Sequence, residues 1–505
     1  MKLSSLLSPE EYTAEGEVQD IEISGIVSDT RMLTANALFV CLRGGRLDAH
    51  TLAARAEQAG AAAIVAEQDA PLPDGIAIPV LRVSNTRRAL ALLHSRFHGS
   101  PEREITMIGV TGTNGKTSTA TILYHILRSA GLHAALIGTA ECLYDGEIYT
   151  LPTSDGRGDR LLTMTTPDPD ILYPMLRMMR SAGITHAVME VSSHALFLEK
   201  VAPIAFSVGI FTNLSPEHLD FHNDMESYLA AKARLFSQCR VGVFNCDDPY
   251  AEKMIAAASC EVVRAGVVWQ GDYRATDVEL CGTGGARYTL QAPALRMRIR
   301  TPLPGSHSVY NTLLALTAAL RLGISPPVAA DALAAPIRVP GRLERVPTGA
   351  GTGFSVFIDY AHTEQALRSL LLTVRAFRKA GERIVLLFGC GGDRDKTKRA
   401  PMGKTAEELA DCVILTSDNP RTEDPKAILQ DILSGMHSPE RHRVISSRRR
   451  AIETAIAEAL PGDIIFLVGK GHERYEITAS GVHPFDERKI VLSALEKKRK
   501  GDTNR

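Results

Sequence analysis

The sequence predicts an α/β protein of three domains, in which a central, mostly parallel sheet is flanked by a small N-terminal α/β domain and a C-terminal α/β domain. Three observations predict it. The 505 residues exceed what one core organises, and at the usual domain size they suggest about three. Short apolar runs alternate with helix-period stretches, the pattern of strands wrapped by helices. Finally, Ile108-Gly-Val-Thr-Gly-Thr-Asn-Gly-Lys-Thr117 breaks an apolar run into glycines and leads into a helix-period segment, Ser118 to Ala130, which is how a phosphate cradle is built.

Residues 1–102 carry short β-rich runs, Glu22 to Ser28, Ala37 to Leu42, Ala62 to Ala66 and Val80 to Val83, between Ala-rich helical stretches. Ser28-Asp-Thr-Arg31 and Arg43-Gly-Gly-Arg46 follow strands where a ligand's phosphates or carbonyls could be held, but as isolated signals they read as ordinary turns. Ser100-Pro101-Glu102 punctuates the boundary.

From 103 to 336 the alternation continues through Ile105 to Val110, Ala134 to Gly138, His186 to Val191, Val208 to Asn213 and Val241 to Asn245, which implies a P-loop-type parallel sheet with ligands at the carboxyl ends of its strands. Residues 270–301 alternate and contain Gly-Thr-Gly-Gly, which predicts inserted antiparallel strands. Past Pro340-Gly-Arg342, residues 337–505 read as a Rossmann-like domain with strands Phe354 to Asp359, Ile384 to Phe388, Cys412 to Thr416 and Ile464 to Val468. Each ends in a loop of charge, Gly or Pro, and four such loops on one edge argue for a binding crevice.

Composition excludes several classes. With 45% hydrophobic residues and 57 basic against 58 acidic side chains, nothing favours nucleic acid or an anionic membrane over a small ligand. The eight cysteines form no C-x-x-C pair and read as thiols of a reducing compartment. No run of 18 apolar residues occurs, so a cytoplasmic protein is expected. The basic tail, Glu496-Lys-Lys-Arg-Lys500, is a solvated helix end.

In the phosphate loop, Gly112 and Gly115 free backbone N–H groups around Thr113 and Asn114 for phosphate oxygens, Lys116 adds a charge, and the Thr117 hydroxyl suits Mg²⁺ at a helix N-terminus. The strict spacing G-x-x-x-x-G-K-[ST] is missed, because Val110 stands where its first glycine would be. A phosphate loop alone leaves hydrolase, kinase, switch and ligase open. Glu190, at a strand end, can join Thr117 around magnesium. His218, taken alone, reads as a satisfied structural histidine, and Lys232 reads as a solvated lysine on a helix from Tyr228 to Phe236.

Taken together, Thr111-Gly-Thr-Asn-Gly-Lys-Thr117, Glu190-Val-Ser-Ser-His194, Asn213-Leu-Ser-Pro-Glu-His218, Ala231-Lys-Ala-Arg-Leu-Phe236, Tyr310-Asn311, Pro340-Gly-Arg342 and Asp359-Tyr-Ala-His362 resemble the Mur ligase family in order and spacing, from about residue 20 to 480. Gly391-Gly-Asp-Arg-Asp-Lys396, Asp418-Asn-Pro-Arg421 and Gly469-Lys-Gly-His-Glu473 resemble the member that adds the third residue of the peptidoglycan stem peptide.

The resemblance implies ATP-driven joining of meso-diaminopimelate to the D-glutamate γ-carboxylate of UDP-N-acetylmuramoyl-L-alanyl-D-glutamate through an acyl phosphate, by a monomer with no nucleic-acid or membrane partner. It implies two Mg²⁺ ions. Thr117 and Glu190 hold one, and His218 and Lys232 hold the other, Lys232 as a carbamate formed with CO₂. That modification needs a neutral amine, so the lysine pKa of ~10.4 must fall through burial or nearby positive charge.

By the same resemblance Asn311 contacts adenine, Arg342 the ribose phosphate and Asp359 the ribose hydroxyls, with Pro340 and Gly341 at a hinge whose closure excludes water. Ser28 lies at the uridine end of the UDP substrate, and Thr165, Thr166 and Ser192 at its acidic peptide end. Lys200 stands where related enzymes often carry arginine, and Leu198 where glutamine is usual; lysine keeps the charge without the planar fork. Around the amine, Arg394, Asp418, Asn419, Pro420, Arg421, Gly469 and Glu473 match the family's positions, with Arg421 gripping the second carboxylate of diaminopimelate and Glu473 its distal ammonium. The lysine-adding counterpart lacks that arginine. A folylpolyglutamate synthase-like ligase and a nucleotide-operated binding module are the other readings, and the 418–421 and 469–473 loops speak against the first.

Overall fold

A computed structural model describes the chain from Met1 to Thr503 except residues 16–17, 46, 153–158, 162–163 and 350–351. The chain forms two compact units, Met1–Tyr273 with Leu314–Ala329, and Arg274–Leu313 with Ala330–Arg505.

In the first unit a five-stranded sheet runs in the order Thr13–Glu15, Val80–Val83, Ala61–Glu67, Ala37–Val40, Gly25–Val27, parallel but for the first strand. Both faces are covered, which is why its inner strands are apolar throughout. Leu90 and Leu93 of the helix Thr86–Phe97 pack with Leu38 and Leu81 on one face, and Ala53 and Ala56 of Ala53–Gln58 pack with Phe39 and Ile64 on the other. Asn85 starts the former helix by accepting the backbone N–H groups of Arg87 and Arg88.

The second sheet of this unit carries the phosphate loop. Its parallel strands lie in the order Glu261–Gly266, Cys239–Asn245, Phe206–Phe211, Thr106–Thr111, His186–Glu190, Ala134–Ile137, and the short strands Cys142–Tyr144 and Glu147–Ile148 extend it antiparallel. The sheet is therefore mixed at its edge and parallel at its centre. Thr106–Thr111 sits in the middle, and the chain departs to one side for Ala134–Ile137 and to the other for Phe206–Phe211, so the loop opens at a topological switch point. Met107, Ala187 and Met189 pack there with Leu172, Leu176 and Met179 of the helix Pro169–Ser181.

In the second unit, Tyr273–Leu280, Ala286–Ala292 and Leu295–Thr301 form the antiparallel strands expected over 270–301. A six-stranded sheet follows in the order Glu344–Val346, Ser355–Asp359, Asp463–Val468, Arg383–Phe388, Cys412–Leu415, Arg443–Val444, parallel except for its first strand. Phe357, Leu386 and Phe466 pack against Leu367 and Leu371 on one face, and Val356, Ile465 and Leu467 against Ile452 and Val491 on the other. The carboxyl ends at Asp359, Gly389, Thr416 and Gly469 share one edge.

Local boundaries differ from the sequence reading in ways physics explains. The helix after the phosphate loop begins at Lys116, because Gly115 at φ 82° already serves as its N-cap. Only Gly25–Val27 of the run from Glu22 to Ser28 pairs as strand. The segment holding Lys232 is a helix, Met225–Ala233, followed by a 3₁₀ turn, Arg234–Ser237. All eight cysteines are free thiols, and among the described residues no helix is long and apolar enough to cross a membrane.

Candidate active site

The phosphate loop is tied down before it meets any ligand. Gly112 has φ 147° and a Cβ there would lie 1.9 Å from Oγ1 of Thr212, so no other residue fits. Asn213, at the end of the neighbouring strand, takes both N–H groups that follow: its backbone carbonyl accepts from Thr113 at 2.8 Å and its Oδ1 from Asn114 at 2.9 Å. The first turn of Lys116–Ser129 follows, where the N–H groups of Thr117 and Ser118 precede the first helical acceptor and Thr119 donates to the Gly115 carbonyl at 2.9 Å. Lys116 folds back, its Nζ donating to the carbonyls of Gly112 (2.9 Å) and Thr113 (2.8 Å).

Thr117 and Glu190 meet as the sequence predicts. Oγ1 of Thr117 donates to Oε2 of Glu190 at 3.0 Å, with both residues buried. The carboxylate is fixed from a third strand end: the Thr139 N–H donates to Oε1 at 2.9 Å and the Thr139 hydroxyl to Oε2 at 3.2 Å, while that hydroxyl also lies 2.9 Å from Oγ1 of Thr165. Thr166 joins the same strand end by donating to the Glu190 carbonyl (2.8 Å) and accepting the Ser192 N–H (3.0 Å); Ser192 caps the short helix Ser193–Phe197.

Lys232 is buried, which corrects the solvated-lysine reading. Its Nζ donates to the Gly112 carbonyl at 2.7 Å and lies 4.5 Å from the centre of the Tyr228 ring. Burial first, and then the Lys116 charge, push its pKa well below the ordinary lysine value. His218 sits in the left-handed region, φ 56°, with its half-exposed ring edge-on to His194 at 4.9 Å. Burial and the neighbouring His218 and His222 drop His194 to about 4.

Lys200 pairs with Asp168, Nζ to Oδ1 at 2.6 Å. Ser28 follows the strand Gly25–Val27, beside Asp29, whose carboxyl the Arg31 guanidinium and backbone N–H pull down to about 2. Arg46 of the neighbouring glycine loop lies outside the described residues.

In the second unit the 418–421 and 469–473 loops interlock. Asn419 donates from Nδ2 to Oε2 of Glu473 at 2.8 Å and accepts at Oδ1 from Lys470 Nζ (2.8 Å) and the Ile477 N–H (3.0 Å). Burial raises the Glu473 carboxyl, opposed by the Lys470 charge and the Asn419 hydrogen bond. Arg421, after Pro420, has φ 51° and donates from Nη1 to the carbonyls of Gly392 (2.8 Å) and Asn419 (3.4 Å). Gly469 has φ 113°, and a Cβ there would lie 2.6 Å from Oδ2 of Asp418. Arg394 is exposed on the 389–394 loop. Buried Arg399 clamps that loop to the next, donating to the Gly391 carbonyl (3.1 Å) and to Glu423 (3.0 Å), which also accepts the Asp393 N–H.

Asn311 is buried on Ser306–Arg321, and the Arg342 guanidinium lies over the Tyr360 ring at 5.0 Å. Both oxygens of Asp359 already accept backbone N–H groups, from Leu343 at 2.7 Å and Ala361 at 2.9 Å.

Comparison with known proteins decides what kind of molecule this is. Residues 22–98 match the Mur ligase family catalytic domain, 110–319 the Mur ligase middle domain and 341–471 the Mur ligase glutamate ligase domain. The UDP-N-acetylmuramoyl-L-alanyl-D-glutamate–2,6-diaminopimelate ligase of Chlorobium phaeobacteroides is 39% identical over 515 aligned positions, covering 99% of this chain and 98% of that one.

The chain belongs to the Mur ligase family.

A solved UDP-N-acetylmuramoyl-L-alanyl-D-glutamate–2,6-diaminopimelate ligase is 30% identical, with a TM-score of 0.70 over 96% of this chain and 97% of that one. The three-domain α/β fold expected from the sequence is thus that of the Mur ligases. The folylpolyglutamate synthase of Mycobacterium tuberculosis, solved with ADP and AMPPCP, shares the fold at 21% identity, with a TM-score of 0.60 over 76% of this chain and 92% of that one.

Sequence reasoning about this Mur ligase missed Thr139, Asn213 and Lys470. Thr139 had a signal: Gly138-Thr139 closes the strand Ala134–Ile137 beside the Glu190 strand, and a Cβ on Gly138 would lie 2.3 Å from Oε1 of Glu190. Asn213 also stood at a strand end, but its role in holding the loop depends on which strands are neighbours. Nothing in a single sequence marks Lys470 as buried.

Proposed function

We propose that this Mur ligase joins meso-diaminopimelate to the D-glutamate γ-carboxylate of UDP-N-acetylmuramoyl-L-alanyl-D-glutamate, converting ATP to ADP and phosphate. The γ-carboxylate attacks the γ-phosphorus and ADP leaves; the amine of diaminopimelate then attacks the acyl phosphate carbon, phosphate leaves, and a proton is released. The observation that carries the reading is the amine loop, where a left-handed Arg421 is held by the Gly392 and Asn419 carbonyls beside an Asn419–Glu473 pair. Arginine offers a carboxylate two parallel donors, and Glu473 offers an ammonium its counter-charge, which are the two groups diaminopimelate carries at its far end. The relatives' names agree with that amine.

The first turn of Lys116–Ser129 and the Lys116 ammonium bind and orient the ATP phosphates. Asn311, Arg342 and Asp359 are proposed for the nucleoside; Asp359 retains one lone pair on each oxygen beyond its backbone bonds. Thr165, Thr166 and Ser192 are proposed for the acidic end of the UDP-linked dipeptide, Ser28 for its uridine, and Lys200, shared with Asp168, for a carboxylate. Arg394, Asp418 and Gly469 complete the amine loops.

The residues fit magnesium: Thr117 and Glu190 are a buried pair of hard oxygen donors. Thr117 and Glu190 would hold one ion, and His218 with carbamylated Lys232 a second; bound there, the ions supply positive charge against the phosphates. Lys232 meets the condition for carbamylation, R–NH₂ + CO₂ → R–NH–COO⁻ + H⁺, because burial and Lys116 favour its neutral amine. We place the enzyme in the cytoplasm, acting as a monomer.

One assay tests the reading: phosphate release with ATP, Mg²⁺, the UDP-linked dipeptide and either diaminopimelate or L-lysine. Release that depends on diaminopimelate is expected. Release without any amine would make the protein a nucleotide-operated switch, and dependence on lysine alone would make it the lysine-adding counterpart.

A further inference from the structure

Lys470 takes no part in the reaction described so far, yet it is a fully buried cation beside the amine loops. It lies between Gly469 and Gly471, both at positive φ (113° and 54°), just past the strand Asp463–Val468. Burying an ammonium is costly unless its protons find partners. Nζ donates to Oδ1 of Asn419 at 2.8 Å and stands 3.6 Å from Oε2 of Glu473 and 4.0 Å from Oδ1 of Asp418. The rings of Phe485 and Tyr475 lie 5.7 and 6.0 Å away.

Two consequences follow for the groups that would meet the amine. The oxygen and nitrogen of an amide have nearly the same shape, so what they face sets their orientation. At Oδ1 of Asn419 two groups converge that can only donate, the Lys470 ammonium and the Ile477 N–H, and the amide nitrogen is thereby turned to Glu473. Removing Lys470 removes half of what decides that orientation. The second consequence is electrostatic. Burial pushes the Glu473 carboxyl up and Lys470 pulls it down, while Asp418 pushes it up further. The phenols of Tyr360 and Tyr475 also face it. In the adjoining small cavity of about 40 Å³, Glu344 is paired with Arg338 and Arg488, and Glu487 with Arg448, while Arg474 and Asp486 also line it.

We infer that Lys470 is a positioning residue for the amine substrate: it aims the N–H groups of Asn419 and gives Glu473 the counter-charge that leaves it free to receive an ammonium. The inference rests on the amine-site reading above.

In the full-length enzyme, Lys470→Met is expected to raise KM for diaminopimelate by about 10- to 100-fold. KM for ATP and for the UDP-linked dipeptide, and amine-independent acyl phosphate trapped with hydroxylamine, should stay within about twofold of wild type. The acid limb of kcat/KM for diaminopimelate should move up by about one pH unit, because burial then acts on Glu473 without its cation. A lysine that only staples the loops would not move that limb. An unmoved limb with unchanged KM, or equal losses in the ATP and amine parameters, overturns the inference. If Lys470→Met does not fold, Lys470→Arg must leave the limb in place while KM rises, since it keeps the charge and alters the reach; a displaced limb there overturns it as well. Arg421→Lys is the control. If it leaves the preference for diaminopimelate over lysine intact, the amine-site reading fails and the inference falls with it; if it changes the preference while Lys470→Met changes nothing, the inference alone is wrong.

Discussion

Replacing Arg421 by lysine separates charge from geometry at the proposed amine site. Arg421 is held at φ 51° with its N–H on the Ile477 carbonyl at 3.0 Å, a conformation that costs any residue with a Cβ about 1–3 kcal/mol. Lysine carries the same Cβ, so this cost cancels between the two enzymes. What differs is the fork. Nη1 is oriented by the carbonyls of Gly392 and Asn419 at 2.8 and 3.4 Å, which leaves Nε and Nη2 as the prongs for a carboxylate. An ammonium can replace one charge-assisted hydrogen bond of that pair and not the second, a loss of about 1.5–3 kcal/mol, or about 10- to 150-fold. Initial rates of phosphate release should therefore show kcat/KM for diaminopimelate falling by about that factor in Arg421→Lys, with kcat/KM for L-lysine unchanged because lysine has no second carboxylate to lose. An unaltered ratio between the two amines would refute the assignment, and so would an equal rise in KM for ATP, which would mean that the loop and not the fork had been damaged.

The other expectations concern the first unit. Gly138→Ala places a Cβ 2.3 Å from Oε1 of Glu190, whose side chain is buried and cannot step aside, so the Mg²⁺ concentration for half-maximal activity should rise by about 10- to 100-fold, measured by Mg²⁺ titration of the rate. Lys232→Ala should abolish ligation in a way that added bicarbonate does not restore, and a fully active variant would remove the carbamate from the mechanism. His94 is buried and its pKa is pushed down to about 4, so the unfolded chain binds the extra proton between pH 6.5 and 4, and stability is lost as pH falls through that window, by about 2 kcal/mol at pH 5. Thermal melts of wild type and His94→Gln should therefore converge between pH 7.5 and pH 5; melts that keep a constant separation would contradict it.

What could be read from the sequence divides along a physical line. Strands buried on both faces, such as Asp463–Val468 and Thr106–Thr111, are continuous apolar runs, and each was legible. The edge strands Thr13–Glu15, Glu344–Val346 and Arg443–Val444 are short and partly polar, and local composition does not separate them from loop. The hairpin Tyr475–Thr478 with Gly481–Pro484 was hidden in the same way. The Thr117–Glu190 pair was readable because Glu190 ends a strand-like run and Thr117 opens the helix after the phosphate loop. Lys200, in contrast, was read for its charge, and its partner Asp168 was not foreseen, since that contact joins two segments distant along the chain.

Lys232 and Lys470 show most plainly why burial of a charge is invisible in sequence and why its neighbours then decide its use. Each is a buried lysine beside a strand-end loop. Around Lys232 stand a carbonyl oxygen, an aromatic face and a second cation, Lys116, with Glu217 the carboxylate that opposes them. Such surroundings favour the neutral amine, which is the form that reacts with CO₂. Around Lys470 stand two carboxylates and an amide oxygen within 4.0 Å, which compensate a buried ammonium. The first site suits a nucleophile and the second suits a fixed ion. Exchanging their environments, and not their identities, would exchange their roles, so what marks each lysine is the company its fold supplies: the Gly112 carbonyl at one end of the Thr106–Thr111 strand, and Asn419 with Glu473 at the far ends of two others.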